Sequence, residues 1–112
     1  MEKEQFLWAV GVTPTEREKA RRLVELYRTE YEKPRTNYTT LFYELAKRAD
    51  ELSMHNLYTE QDTGNFSTLS IRADEKTYNL LETLSKQKMR DRSNLIRWLI
   101  NAAYEIELGY FE

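Results

Sequence analysis

The stretch STLSIRADEKTYNLLETL, residues 67–84, contains two hydrophobic periods, one after the other. Its first part alternates apolar with polar residues, and this two-residue period is typical of a strand that buries one face. Asp74 then predicts a helix N-cap, and Glu75 places a carboxylate in the first turn, where the helix dipole favours negative charge. The stretch therefore predicts a short strand that leads directly into a helix. The buried face of the strand is Leu69, Ile71 and Ala73, and its outer face is Thr68, Ser70 and Arg72.

Two helices are predicted after this strand. The first carries an apolar stripe at helical spacing and ends in the polar segment SKQKMRDR, residues 85–92. Ser93 is a second candidate N-cap, and the helix that it begins is predicted to run to about Ile106, with Gly109 as a nearby terminator. The apolar stripe of the first helix is Tyr78, Leu80, Leu81 and Leu84, and that of the second is Leu95, Ile96, Leu99, Ile100 and Ala103.

The amino-terminal half of the chain repeats this order of elements. A two-residue period runs from Phe6 to Val12 and is followed by the segment TPTE. Thr13 is the expected N-cap, Pro14 takes the first helical position and Glu16 closes a capping box. A second strand that enters a helix is therefore predicted. One face of this strand is Phe6, Trp8, Val10 and Val12, and the other is Leu7, Ala9 and Gly11.

A second helix is predicted in this half as well. Pro34 interrupts the first helical pattern, and Thr39 is the candidate N-cap of the next helix. The interval from Thr13 to Thr39 is seven residues longer than the interval from Asp74 to Ser93, and the extra length lies around TEYEKPR. The apolar stripe of the first helix is Ala20, Leu23, Val24 and Tyr27, and that of the second is Leu41, Phe42, Leu45, Ala46 and Ala49.

A single short strand leaves its backbone donors and acceptors without partners, so each half of the chain requires a second strand. We expect residues 6–12 to pair antiparallel with residues 67–73 of the same chain; pairing between the second halves of two separate chains is the alternative. The predicted fold class is mainly α-helical with a short antiparallel two-stranded ribbon. Its expected organisation is a first unit at residues 1–52, a linker at 53–66 and a second unit at 67–112, with the two units sharing one core.

The order strand, helix, helix over residues 67–106 resembles the ribbon-helix-helix family of DNA-binding repressors, the group that includes Arc, MetJ and the CopG-like plasmid regulators. The segment RDRSNLIRWLI, residues 90–100, is similar to that family's turn and second helix. With the repeat, the resemblance implies a tandem ribbon-helix-helix protein, an intrachain pseudo-dimer similar to regulators from plasmids and archaeal viruses. Met89 lies where the family commonly has glycine, and a non-glycine residue is strained in a left-handed conformation.

The resemblance implies a sequence-specific transcriptional regulator, a repressor, that inserts the ribbon into the major groove of double-stranded DNA. Thr68, Ser70 and Arg72 match the outward strand positions that read bases in that family. Arginine can donate two hydrogen bonds to guanine, and the two hydroxyls are short donors and acceptors on the same face.

Positive charge is concentrated near the two predicted second helices, although the net charge of the chain is −2. Residues 86–97 hold five basic residues and one acidic residue, and residues 17–35 hold seven basic and four acidic residues. Charge at this density also fits the solvated face of an ordinary helix. Unpaired backbone amides and the helix dipole nevertheless favour phosphate at helix starts. The predicted phosphate-binding residues are Arg90, Arg92, Ser93 and Asn94 at one start and Arg35, Thr36, Asn37 and Thr39 at the other. For Arg92, Ser93 and Asn94 the resemblance implies the same role, because they match the helix start that grips phosphate in the ribbon-helix-helix family.

The first strand differs chemically from the second, because Leu7, Ala9 and Gly11 have no side-chain hydrogen-bonding groups. Two interpretations stay open. Either these small and apolar residues let the backbone approach the groove and contact thymine methyl groups, or the first half contacts a protein. The alternative function is therefore a protein-interaction module, antitoxin-like or an accessory factor, that uses this strand and the aromatic tail ELGYFE, residues 107–112. A helical protein that never binds nucleic acid is a third interpretation.

Other classes of function have little support in the sequence. The chain has no cysteine, and its single histidine, His55, lies in the predicted linker as a surface residue. No nucleophile, histidine and acid can be combined into a catalytic arrangement, so we expect no enzyme, no metal, no cofactor and no small-molecule substrate. No apolar run reaches the length of a membrane span, which favours a cytoplasmic protein, in the host cytoplasm if the source is viral. The tail could dock on a second copy of the chain, a homo-oligomer, or fold back.

Overall fold

The computed structural model describes residues 6–53 and 66–109. Within them the chain forms two strands and five helices, in the order strand, three helices, strand, two helices. The linker residues 54–65, including His55, and the tail residues 110–112 lie outside the described residues. The elements are β1 Phe6–Val12, α1 Pro14–Thr29, α2 Tyr38–Lys47, α3 Ala49–Ser53, β2 Ser67–Ala73, α4 Glu75–Gln87 and α5 Arg92–Leu108.

The two strands form one antiparallel ribbon within the chain. Phe6 lies opposite Ala73 and Val12 opposite Ser67, so all seven residues of each strand are paired. The middle residues of the two strands, Ala9 and Ser70, face each other. The prediction that these segments pair antiparallel in the same chain is confirmed, and the register is symmetric about its central pair.

The helices that follow the strands begin as the sequence predicts. Thr13 and Glu16 form the capping box of α1, with the Glu16 amide 3.1 Å from Thr13 Oγ1 and Pro14 at the first helical position. Asp74 caps α4 by accepting a 2.8 Å hydrogen bond from the Thr77 amide. Both strands therefore pass into a helix through a single capping residue.

The predicted N-caps of the two second helices are wrong by two residues. Asn37, not Thr39, caps α2 and accepts from the Thr40 amide at 3.0 Å. Asp91, not Ser93, caps α5 and accepts from the Asn94 amide at 2.7 Å. Asparagine and aspartate side chains are at least as effective as those of serine and threonine in this position, so the earlier residue begins the helix.

The second helix of the first half is interrupted rather than continuous. It ends at Lys47, Arg48 takes the C-cap, and the short α3 follows with Leu52 buried. Ala49, predicted in the apolar stripe of one helix, therefore belongs to α3, and Ser53 ends α3 instead of beginning the linker. In the second half, α5 is continuous to Leu108, two residues beyond the predicted end, and Gly109 is its C-cap.

The two halves share one hydrophobic core. The first helix of each half packs against the second helix of the other, α1 on α5 and α2 on α4. The inner face of the ribbon closes this core, and Trp8, Val12 and Ile71 are fully buried beneath it. Neither half could bury its apolar faces alone in this arrangement. None of the helices that the structure describes is long and apolar enough to cross a membrane.

A buried polar network joins α1 to α5. The Glu16 side chain, 1% exposed, accepts hydrogen bonds from Arg97 Nε at 2.8 and 3.0 Å and from Asn101 Nδ2 at 2.9 Å. It also accepts from the Thr13 amide at 3.0 Å, and Lys19 Nζ donates to Asn101 Oδ1 at 3.0 Å. Burial raises the pKa of Glu16, but the hydrogen bonds from Thr13, Arg97 and Asn101 outweigh it and hold the pKa below its ordinary value.

We expect Glu16→Gln to lower the free energy of unfolding at pH 7 by roughly 3 kcal/mol, because it removes the buried carboxylate that pairs with Arg97 and accepts a hydrogen bond from Asn101. Urea denaturation followed by circular dichroism measures this. The depressed pKa of Glu16 adds stability that is fully present above the carboxyl's unfolded value of about 4.5 and is lost as pH falls through the lower folded value.

The parent should therefore lose more stability than the variant as pH falls below about 4.5. Glu18→Gln is the matched control, since Glu18 pairs with Arg21 on the exposed side of the same helix. The Glu18→Gln change should have little effect on the free energy of unfolding. Equal losses at Glu16 and Glu18 would show that the network does not hold α1 on α5.

Candidate nucleic-acid interface

The outer face of the ribbon presents three facing pairs of residues. Because side chains alternate along each strand, the outer residues of β1 and β2 lie side by side on one surface. Five of the six are exposed, and Gly11 is half-buried. The pairs are Leu7 with Arg72, Ala9 with Ser70, and Gly11 with Thr68.

The polar side chains of this face are not used by the fold. Across residues 6–53 and 66–109, no hydrogen bond or ion pair engages the Arg72 guanidinium or the hydroxyls of Thr68 and Ser70. Two of these residues take part through their backbone instead, since the Arg72 carbonyl accepts from Thr39 and the Thr68 carbonyl accepts from Arg17. The three predicted base-reading residues therefore lie together, exposed, with their donors available to a ligand.

Arg17 lies beside the ribbon and was not predicted as a site residue. Its Nε donates to Ser67 Oγ at 3.1 Å and its NH2 group donates to the Thr68 carbonyl at 2.6 Å. These contacts join residues far apart in the chain, so no local pattern marks them. They place a positive charge at the end of the ribbon where Gly11 faces Thr68.

An apolar stripe runs along the same face, formed by Leu7, Ala9, Gly11 and Phe66. Leu7 is 55% and Phe66 52% exposed, and the Phe66 ring lies against Gly11. Arg97 holds its guanidinium 5.1 Å from the centre of that ring. Phe66 was not predicted as a site residue, although the two-residue period of β2 extends back to it. The outer face thus consists of one apolar edge and one hydrogen-bonding edge.

The arginines at the start of α5 are anchored on aromatic rings. The Arg92 guanidinium lies 4.9 Å from the Trp8 ring centre, and its NH2 group is 2.7 Å from Glu82 Oε1 and 3.2 Å from the Tyr78 hydroxyl. Arg90 lies 5.5 Å from the Trp98 ring centre. These side chains keep a defined position, and the Arg92 charge is partly offset by Glu82.

The amides at this helix start are less available than predicted. Asp91 accepts from both the amide and Nδ2 of Asn94, at 2.7 and 3.2 Å, so a carboxylate already occupies the end of the helix. Ser93 does not cap the helix, because its Oγ accepts a 3.1 Å hydrogen bond from the Gly11 amide of β1. A phosphate at this end would have to be held by the flanking guanidiniums more than by backbone amides.

The start of α2 has the corresponding arrangement. Thr36 is 4% exposed and bonds within its own turn, with Oγ1 2.7 Å from the Lys33 carbonyl, and Asn37 caps the helix. Thr39 Oγ1 donates to the Arg72 carbonyl of β2 at 2.7 Å. Arg35 is exposed beside this turn. Of the four predicted phosphate residues here, Arg35 is the one that carries a charge, and it is exposed.

Ser93 and Thr39 perform the same task in the two halves. Each is the second residue of its helix, and each bonds the backbone of the sixth residue of a strand, Gly11 or Arg72. The two hydroxyls that were predicted to cap helices instead tie each second helix to the ribbon strand of the other half. The positions of the two strands and of the helix starts are thus linked.

Met89 adopts the left-handed conformation that its alignment with a glycine position suggests, with φ of 53°. The Arg90 amide donates to the Ser85 carbonyl at 3.0 Å and the Met89 amide to the Lys86 carbonyl at 3.3 Å. This pair of bonds is a Schellman motif, which ordinarily has glycine at the left-handed residue. The Met89 side chain is 92% exposed, so packing does not offset the strain.

Within the ranges that the structure describes, no three histidine, cysteine, aspartate or glutamate residues come together as a metal site. Comparison of the chain with protein-family models, curated proteins and solved structures finds no match.

We expect Met89→Gly to raise the free energy of unfolding by roughly 0.5–1 kcal/mol, because glycine adopts positive φ without a steric cost. Lys86→Gly is the control, since Lys86 is an exposed residue of α4 with helical geometry, and it should lower stability by about 1 kcal/mol. Thermal and urea unfolding of the two variants measure both effects. A destabilised Met89→Gly protein would mean that the methionine side chain contributes to the turn.

Proposed function

We propose that this protein is a sequence-specific double-stranded DNA-binding regulator of transcription, a repressor, that inserts the β1–β2 ribbon into the major groove. The observation that carries the proposal is the exposed outer face of the ribbon, where Thr68, Ser70 and Arg72 have hydrogen-bonding groups that the fold leaves unused. The major groove admits a two-stranded ribbon of this kind.

The arrangement of the whole chain supports the same proposal. Strand, helix and helix occur twice, each first helix packs on the other half's second helix, and the ribbon register is symmetric. These features fit a tandem ribbon-helix-helix pseudo-dimer formed from one chain. The extra turn before α2 and the break at Arg48 are the main departures of the first half from the second.

Base recognition would come from the hydrogen-bonding edge of the face. Arg72 can present two parallel donors to the O6 and N7 atoms of guanine, and Ser70 and Thr68 follow at alternate positions along the strand. Their short side chains can donate or accept, which suits several bases. Arg72 therefore provides the strongest single discrimination.

Phosphate contacts would flank the ribbon. Arg17 lies beside one end, Arg92 and Arg90 are anchored at the start of α5, and Arg35 is exposed near the start of α2. Because the net charge is −2, binding depends on this local grouping and not on the charge of the whole molecule. No cofactor or small-molecule substrate is required by this mode of binding.

A second candidate function is a protein-interaction module. It is favoured by the apolar stripe, because Leu7 and Phe66 are each more than half exposed on the outer face of the ribbon. Exposed large apolar side chains in one patch are characteristic of protein contacts as well as of contacts with base methyl groups. Residues 110–112 of the tail that could extend this surface lie outside the described residues, and residues 107–109 belong to the end of α5.

We expect Arg72→Ala to weaken binding to a preferred duplex by roughly 1–3 kcal/mol and to remove the preference for guanine at one position. Selection from a random duplex library identifies the preferred site, and fluorescence anisotropy measures the affinity. Lys47→Ala is the control, because Lys47 is an exposed cation at the far end of α2. Equal affinity of the Arg72 variant and the parent for the selected site would refute base reading by this residue.

The affinity for DNA should fall steeply as salt rises, because each neutralised phosphate releases counterions. Arg17→Ala and Arg92→Ala should each reduce the slope of log affinity against log salt by about one, with little change in base preference. Anisotropy titrations at several salt concentrations give the slope. Binding that is insensitive to salt would contradict the DNA assignment and support the protein-interaction module.

A further inference from the structure

The backbone of the ribbon is symmetric. Both strands have seven residues, the central pair is Ala9 with Ser70, and the sixth residue of each strand is held by a hydroxyl from the other half's second helix. A ligand that touched only the backbone would meet the same geometry from either strand. Any directional preference must therefore come from the side chains.

The side chains of the outer face are not symmetric. Under the twofold relation of the register, Leu7 corresponds to Thr68, Ala9 to Ser70, and Gly11 to Arg72. Each pair of equivalent positions combines one residue without a polar side chain and one with hydrogen-bonding groups. The difference extends over the whole reading face and is not a single substitution.

The fold does not require this difference. The outer positions of β1 are solvent-facing, and Gly11 has no positive φ that would demand glycine. A Cβ atom at Gly11 would meet the Phe66 side chain at 3.7 Å, which is ordinary van der Waals contact. Leu7 and Ala9 are exposed and Gly11 has room for a Cβ atom, so the fold does not dictate an apolar face here and the apolar composition calls for a reason in the ligand.

The facing pairs show what that ligand would have to offer. Arg72 lies directly opposite Leu7, so a guanidinium and an exposed apolar side chain sit side by side at one end of the ribbon. In the major groove, arginine pairs with guanine, whereas an apolar side chain contacts the methyl group of thymine. The end of the ribbon that carries Arg72 and Leu7 therefore complements different bases from the end that carries Thr68 and Gly11.

We infer that the chain binds a non-palindromic DNA sequence in one orientation. Guanine is read by Arg72 of β2 and a thymine methyl group by Leu7 of β1 on one side of the site, whereas the other side faces Thr68 and Gly11. The inference rests on the proposed DNA binding. It adds that a single chain, though built on a symmetric ribbon, distinguishes the two directions of the duplex.

Selection of binding sites from a random duplex library by the full chain tests this directly. We expect a non-palindromic motif, bound about tenfold or more tightly than either inverted repeat built from its halves. A palindromic motif would overturn the inference while leaving DNA binding intact. Failure to enrich any sequence, together with salt-insensitive binding, would overturn the proposed function and this inference with it.

A variant that makes the reading face symmetric provides the second test. The triple change Leu7→Thr, Ala9→Ser and Gly11→Arg copies the outer face of β2 onto β1, and it should convert the selected motif into a palindrome. Thr83→Arg adds the same charge on the exposed side of α4 and should leave the parent motif unchanged. Circular dichroism establishes that each variant folds.

The single variant Arg72→Gly keeps the test decisive if the triple variant does not fold. It should erase the guanine preference and leave both the thymine preference of Leu7 on the same side and the preferences on the side that faces Thr68 and Gly11. Two results would show that the difference between the strands does not set the direction of binding. One is loss of base preference on both sides of the motif in the Arg72→Gly variant, and the other is retention of the parent motif by the symmetric triple variant.

Discussion

The hydrogen bonds between β1 and β2 are the constraint on which the rest of this structure depends. Each half of the chain contributes one seven-residue strand, and the only strand that it pairs with in the described structure comes from the other half. Pairing brings Trp8 and Ile71 together on the inner face and forces α1 onto α5 and α2 onto α4. The ribbon is thus both the closure of the core and the surface that faces outward.

The polar network of Glu16 distinguishes pairing of unlike halves from pairing of like halves, which the backbone bonds of the ribbon do not. Glu16 is the third residue of α1, and the third residue of α4 is Thr77, which is also buried. Two second halves paired together would place Thr77 where Glu16 stands, so the buried ion pair between Glu16 and Arg97 could not form. Because removing one partner of a buried ion pair costs on the order of 3–5 kcal/mol, the network favours pairing of unlike halves.

Features set by local sequence could be predicted, and features set by contacts between distant residues could not. The alternation in both strands, the caps Thr13 and Asp74, and the antiparallel pairing follow from periodicity and backbone requirements. The caps at Asn37 and Asp91 were missed because serine and threonine nearby looked equally suitable, and their hydroxyls proved to bond the opposite strand. Three features without a local signal were not predicted: the Arg17 contact, the Arg97–Phe66 contact and the Glu16 network.

The hydroxyl bonds also explain how a small ribbon can present side chains in a fixed geometry. Thr39 holds the carbonyl of Arg72, and Ser93 holds the amide of Gly11, so both strands are tied to helix starts near their ends. A long arginine on a free two-stranded ribbon would lose much conformational entropy on binding, because the backbone would have to be ordered as well. Here the core and the hydroxyls of Thr39 and Ser93 already order the backbone of the ribbon. A ligand would therefore have to order only the side chain of Arg72.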